Sequence, residues 1–149
     1  MECKFCGKPG NKKNFIFETK HYDLFLSDNQ YYLARCVIRL KRHAASLSEL
    51  DKAEWLDFHE LVKKVESSFK KAFDATLFNW SCNMNHSFQS KPYIPHVHFH
   101  LVPRYDRPVK FGNILFEDKE FGFHHEPYKE FEVSESIKEK IIQKIKENL

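Results

Sequence analysis

Residues 95–104 read PHVHFHLVPR. Strict alternation of polar and apolar side chains over that length specifies a β-strand, because successive side chains on a strand leave by opposite faces. Val97, Phe99 and Leu101 then point into a core, and His96, His98 and His100 point together to the other side. Three imidazoles on a core face would be costly without partners. On an open face they can bind a metal, exchange hydrogen bonds with a ligand, or attack an electrophile. Two functional readings follow from the residues themselves. In one, strand histidines hold a catalytic zinc; in the other, one histidine is a nucleophile and its neighbours assist it.

The rest of the chain supplies a body for that strand. At 149 residues it suits a single domain over 1–149, long enough to bury a core. Strand candidates run over Asn14–Thr19, His21–Ser27, Tyr31–Leu40 and Thr76–Asn85, with SDNQ a turn between the second and third. Trp55, Phe58, Val62, Val65, Phe69 and Phe73 recur at helical spacing, and Ser48 or Asp51 can cap that helix, with Glu54 completing a capping box on Asp51. A second helix closes the chain. Its apolar residues are Ile137, Ile141, Ile142, Ile145 and Leu149, and Ser134 or Ser136 can cap it. The segment after Pro103 is aromatic-rich and is expected to wrap the body. The fold class is therefore α+β: an antiparallel sheet, one long packed helix and a C-terminal helix.

Composition narrows the function. The net charge of +3 comes from 24 basic and 21 acidic residues that are interleaved, unlike the one-sided basic face of a nucleic-acid binder. No apolar run is long enough to cross a membrane, and MECKFCGKPG lacks the apolar centre of a signal peptide. The expectation is a cytoplasmic protein without nucleic-acid or membrane partners. Its four cysteines are then ligands or buried thiols rather than disulfides, with Cys36 and Cys82 as small buried residues. The 4 glycines fit neither G-x-G-x-x-G nor the P-loop, so any phosphate is held without a glycine cradle.

His96-Val97-His98-Phe99-His100-Leu101-Val102, followed by Pro103-Arg104, resembles the motif of the histidine triad (HIT) family of nucleotide hydrolases and transferases. The upstream block CVIRLKRHAASLSELDKAEW resembles the strand, basic turn and helix start that precede the motif there. The resemblance spans most of Cys3 to Tyr105. It implies a HIT-like domain over 1–149, with a zinc knuckle at 1–13 and a C-terminal extension at 106–149. It also implies that His98 attacks the α-phosphorus of a purine nucleotide derivative, that His100 donates to a phosphate oxygen or the leaving group, and that His96 completes the catalytic set. Diadenosine tetraphosphate-like dinucleoside polyphosphates and nucleoside phosphoramidates are the substrates so implied, and a homodimer is the implied assembly. Asn85 stands where family members often contact phosphate.

Cys3-Lys4-Phe5-Cys6 is a C-x2-C knuckle. By the same resemblance, Cys3, Cys6, His43 and His96 match the ligands of a structural zinc found in some members. The chain departs from the family where a Gly-Gln-Ser/Thr element usually leads into the triad; QSKPYIP stands there, with Gln89, Ser90 and Lys91 as alternatives. Asp28 is read either as a ribose contact or as a turn residue, and Arg104 either as a phosphate contact or as the anchor of the strand end. His124 and His125 read as surface or core polar residues. Two competing functions remain beside the nucleotidyl-histidine enzyme: a metal-dependent hydrolase with catalytic zinc on the triad, and a nucleotide-binding module with little activity.

Overall fold

The computed structural model describes residues 3, 5–6, 12–125 and 128–149. Residues 1, 2, 4 and 7–11 of the expected knuckle, and with them most of its basic loop, lie outside the described residues.

Five strands form one antiparallel sheet: β1 (Phe15–Glu18), β2 (Tyr22–Leu26), β3 (Cys36–Leu40), β4 (Leu77–Ser81) and β5 (His98–Arg104), in the spatial order β1-β2-β3-β5-β4. The alternation of β5 sets the register of its neighbours. Ile38 pairs Phe99 and Leu24 pairs Ile38, all on the core face, while Arg39 pairs His98 and Val37 pairs His100 on the other. A long helix, α1 (Lys52–Phe73), packs Leu61, Val65, Phe69 and Phe73 into the core. Phe58 of that helix stacks on Phe99 with ring centroids 4.0 Å apart. Trp55 lies at the margin of the expected stripe, 41% exposed, and Leu61 takes an inward place instead.

Position 54 is buried although it is a glutamate. Its carboxylate closes the capping box with Asp51 and receives Arg42 through two bonds of 2.5 and 2.7 Å. One side chain thus caps the helix and ties it to the turn that carries His43.

The strand expected at Tyr31–Leu40 begins only at Cys36. The buried Gln30 donates to the carbonyls of Ser27 and Arg35 and accepts from the amide of Ala34, which adopts a left-handed φ of 62°. That knot makes the tight return from β2 to β3. Cys36 is fully buried, as read from sequence, while Cys82 is only half-buried.

After β5 the chain forms a hairpin, β6 (Val109–Phe111) and β7 (Ile114–Phe116), then a loop, then α2 (Glu135–Lys146) capped by Ser134. Ile137, Ile141, Ile142 and Ile145 of α2 join the core. Among the described residues, no helix is long and apolar enough to cross a membrane.

Arg104, at the end of β5, anchors this wrapping segment. Its guanidinium grips Asp118 at 2.5 and 2.9 Å and donates to the carbonyls of Phe123 and Glu120. Both ionic side chains are 1% exposed. Of the two roles open to Arg104, the structure assigns the anchor. Asp118→Ala should cost about 3–5 kcal/mol of stability in urea denaturation, because it strands a buried cation; a loss below about 1 kcal/mol would mean that the loop is held by other contacts.

Candidate functional site

His98 and His100 project from β5 onto the sheet face opposite α1. Arg39 lies across from His98 and Val37 across from His100. The His98 and His100 rings sit 5.0 Å apart, nearly perpendicular.

The Nδ1 of His98 lies 2.8 Å from the backbone carbonyl of His96. A carbonyl only accepts, so this nitrogen carries the proton and Nε2 keeps its lone pair. Burial pushes the His98 proton affinity down, and His86 pushes it the same way against the opposing pull of the carbonyl. His98 is therefore a neutral imidazole of fixed tautomer near pH 7. His100 is shifted further, to about 3, first by burial and then by His98, His86, Arg35 and His125. Neither ring nitrogen of His100 finds a hydrogen-bond partner among the described residues.

His96 faces elsewhere. Its Nδ1 lies 3.4 Å from the sulfur of Cys3 and 3.5 Å from that of Cys6, and its Nε2 donates to the carbonyl of Leu40 at 2.8 Å. The Nδ1 of His43 is 3.6 Å from the Cys6 sulfur. All four ligand atoms lie within 4.8 Å of one another. Tetrahedral zinc with bonds of about 2.3 Å to sulfur and 2.0–2.1 Å to nitrogen sets adjacent ligands about 3.5 Å apart. The measured edges fit that shell. The Leu40 carbonyl accepts from the other ring nitrogen and so holds a ligating histidine in one tautomer.

Phe5, between the two cysteines, stacks on His98 with centroids 5.3 Å apart and an interplanar angle of 22°. Its carbonyl accepts from Arg39, which also pairs with Asp23 at 2.6 Å. Beside this arrangement opens a cleft of about 450 Å³ lined by Phe5, Phe25, Ser27, Asp28, Val37 and Arg39. Asp28 accepts from Lys138 at 2.7 Å and from Asn14 at 2.8 Å, and these bonds hold its carboxyl below the usual range.

The structure thus brings together His96, Cys3, Cys6 and His43 on one side and His98 with His100 on the other. Asn85 is exposed in a short 3-10 turn, Met84–Gln89. The next residue, His86, is one that sequence reasoning missed. Its ring is 5.2 Å from His100 and 6.1 Å from His98, and the three imidazoles form a second group whose nitrogens lie within 4.8 Å. Arg35 was missed as well. It stands at the entry to β3, within electrostatic reach of His100.

Comparison with known proteins agrees with the geometry. The HIT domain model matches residues 8–107. An uncharacterised HIT-like protein of Methanocaldococcus jannaschii is 29% identical over 103 residues, covering 66% of this chain and 77% of its own. Among solved structures, a diadenosine triphosphate hydrolase of Plasmodium falciparum aligns with a TM-score of 0.61 at 16% identity, over 92% of this chain and 76% of that one. A zinc-bound histidine triad family protein of Mycobacterium smegmatis aligns at 0.60 and 15% identity, over 90% and 81%.

The neutral His100 has a consequence for stability. Unfolded, it takes up a proton near pH 6.5; folded, it holds out to about 3. The unfolded state therefore binds more protons in that window. The stabilisation is complete above pH 6.5 and is lost as pH falls toward 3. The free energy of unfolding should drop between pH 7 and pH 5, with this residue adding a slope of up to about 1.4 kcal/mol per pH unit. Chemical denaturation of His100→Gln should show a flatter profile.

Proposed function

The chain belongs to the HIT family, and on that premise we propose that it cleaves purine nucleotide derivatives at the α-phosphorus through a nucleotidyl-histidine intermediate on His98. The observation that carries this reading is the 2.8 Å bond from His98 Nδ1 to the His96 carbonyl, which leaves Nε2 unprotonated. The Nε2 lone pair forms an N–P bond. The bond from phosphorus to the leaving group breaks, and its electron pair departs with that group. Water then adds to phosphorus, the N–P electron pair returns to Nε2, and the monophosphate leaves with the oxygen of the water, whose surplus proton passes to solvent. The cleft lined by Phe5, Phe25 and Val37 takes the nucleoside, and Asn85 is the phosphate contact that the family resemblance implies.

The low proton affinity of His100 supports one of its two expected roles. A ring neutral down to about pH 3 has one N–H to offer a phosphate oxygen and no second proton to give a leaving group near pH 7. Its part is that of a hydrogen-bond donor.

Cys3, Cys6, His43 and His96 fit a structural zinc, and the relative from M. smegmatis is described as zinc-bound. The metal would crosslink the N-terminus to the turn before α1 and to β5. Because His96 also gives its carbonyl to His98, the same ion would brace the nucleophile. The domain so organised runs over 1–149, with the extension at 106–149, and forms a homodimer as the family implies.

A second reading rests on the His86, His98 and His100 group, which resembles a three-histidine metal site. The fixed positive charge of Arg35, which acts on His100, opposes a cation there.

Two experiments test the proposal. Rapid mixing with diadenosine tetraphosphate, followed by intact-mass measurement, should show an adenylyl adduct on the wild type that is absent from His98→Ala, with turnover falling by at least about 10³-fold. Immediate loss of activity on adding a chelator, with no adduct, would favour the metal hydrolase; nucleotide binding without turnover would favour a binding module. Separately, Cys3→Ser with Cys6→Ser should lower both bound zinc and the unfolding midpoint, whereas unchanged metal content would reject the four-ligand site.

A further inference from the structure

Two arginines lie near the same end of the sheet and are treated differently. Arg104 has a carboxylate and two carbonyls. Arg35, at the entry to β3, has Nε and Nη1 buried without a hydrogen-bond partner among the described residues. Among the described residues no carboxylate figures in its electrostatic surroundings, where only Tyr32 favours its charge. A half-buried guanidinium whose Nε and Nη1 are shut off from water without a partner is a costly feature for a fold to carry.

Its neighbours share that condition. Arg35 is close enough to His100 and to His125 to disfavour a proton on either. Both His100 nitrogens are buried and unpartnered. His125 arrives from the loop that Arg104 and Asp118 pin down, and its ring meets that of Tyr32 edge-on at 6.1 Å. Tyr32 in turn donates to Glu120 at 3.2 Å, and the Arg104 guanidinium lies over the Tyr32 ring. Among the described residues, the carboxylates of the adjoining loop, Asp118 and Glu120, are committed to Arg104, Tyr32 and Lys129.

Its position gives it a use. Along β3 and β5 the pairs run from Arg39 with His98 to Val37 with His100, and Arg35 stands at the entry to β3, two residues before Val37 and within electrostatic reach of His100. The cleft proposed for the nucleoside lies at Phe25, Val37 and Arg39. We infer that Arg35, His100 and His125 form a second anion site, which receives the phosphate of the leaving group and so selects phosphoanhydride substrates over those that release a neutral or cationic amine. The selection acts on the step already given. The electron pair that leaves with the bridging oxygen places charge on the departing phosphate, and the guanidinium sits where that charge develops. This rests on the nucleotidyl-histidine reading for its catalytic consequence, though not for anion binding.

The test uses the full chain with its metal and the variant Arg35→Gln, with His125→Gln as a second variant in a looser segment. Titration calorimetry with inorganic tripolyphosphate should show binding to the wild type that weakens about 10- to 100-fold in Arg35→Gln and less in His125→Gln, as expected for loss of charge-assisted hydrogen bonds. The ratio of kcat/KM for diadenosine tetraphosphate to that for adenosine 5′-phosphoramidate should fall by a similar factor. Arg35→Gln should unfold at the same temperature as the wild type or higher when no anion is present, since it removes an unbalanced charge. Undiminished tripolyphosphate binding in both variants would overturn the site, as would an equal loss of kcat/KM for both substrates. If neither substrate is turned over but tripolyphosphate binding still depends on Arg35, the anion site stands and the hydrolase reading falls.

Discussion

The imidazole of His96 is the joint on which the functional face depends. Three polar atoms of His96 are committed: Nδ1 toward the sulfurs of Cys3 and Cys6, Nε2 to the carbonyl of Leu40, and the backbone oxygen to Nδ1 of His98. The first bond ties the N-terminus to the sheet, the second ties β5 to the end of β3, and the third fixes the tautomer of the ring that faces the cleft. On the proposed mechanism the three imidazoles of the motif divide into one that holds, one that attacks and one that donates, although the sequence writes them identically.

Ion pairs set the position of the parts around this joint. Arg42 and Glu54 fasten the turn bearing His43 to the cap of α1. Asp23 and Arg39 lie in the row that includes His98 and hold the carbonyl of Phe5. Arg104 and Asp118 fix the loop that delivers His125. In each, the arginine uses its planar fork to hold two elements at once, which a lysine in its place would not do. Against that pattern the isolation of Arg35 stands out as a feature of the site rather than of the scaffold.

Much of this was legible in the sequence, and the reason is locality. A period of two over seven residues fixes a strand and its two faces; Asp51 with Glu54 fixes a helix start; a C-x2-C pair with His43 and His96 supplies the ligand types of a zinc shell. What was not legible depends on contacts between distant segments. His86 sits in a polar turn with no period, and it reaches the triad only because β4 lies beside β5. Arg35 hid inside what reads as a continuous strand from Tyr31. The interruption comes from the side chain of Gln30 and the left-handed Ala34, neither of which carries a turn signal of the usual Gly or Asn kind. The role of Arg104 turned on Asp118, fourteen residues on across a hairpin. Trp55 was placed inward by spacing, but the buried Glu54 beside it occupies the first inward position of the helix and rotates the stripe toward Leu61.

The seclusion of the Arg104–Asp118 pair also fixes how the molecule answers to heat. The penalty for stripping water from buried charges shrinks as temperature rises, because ionic hydration is entropically unfavourable, while the gain per unit of buried apolar surface levels off. A pair at 1% exposure feels that trend far more than the surface pairs such as Lys63 with Glu60. On warming, therefore, the clasp between β5 and the loop of His125 loses less of its hold than the apolar seams around it, and that loop is among the last parts of the molecule to loosen.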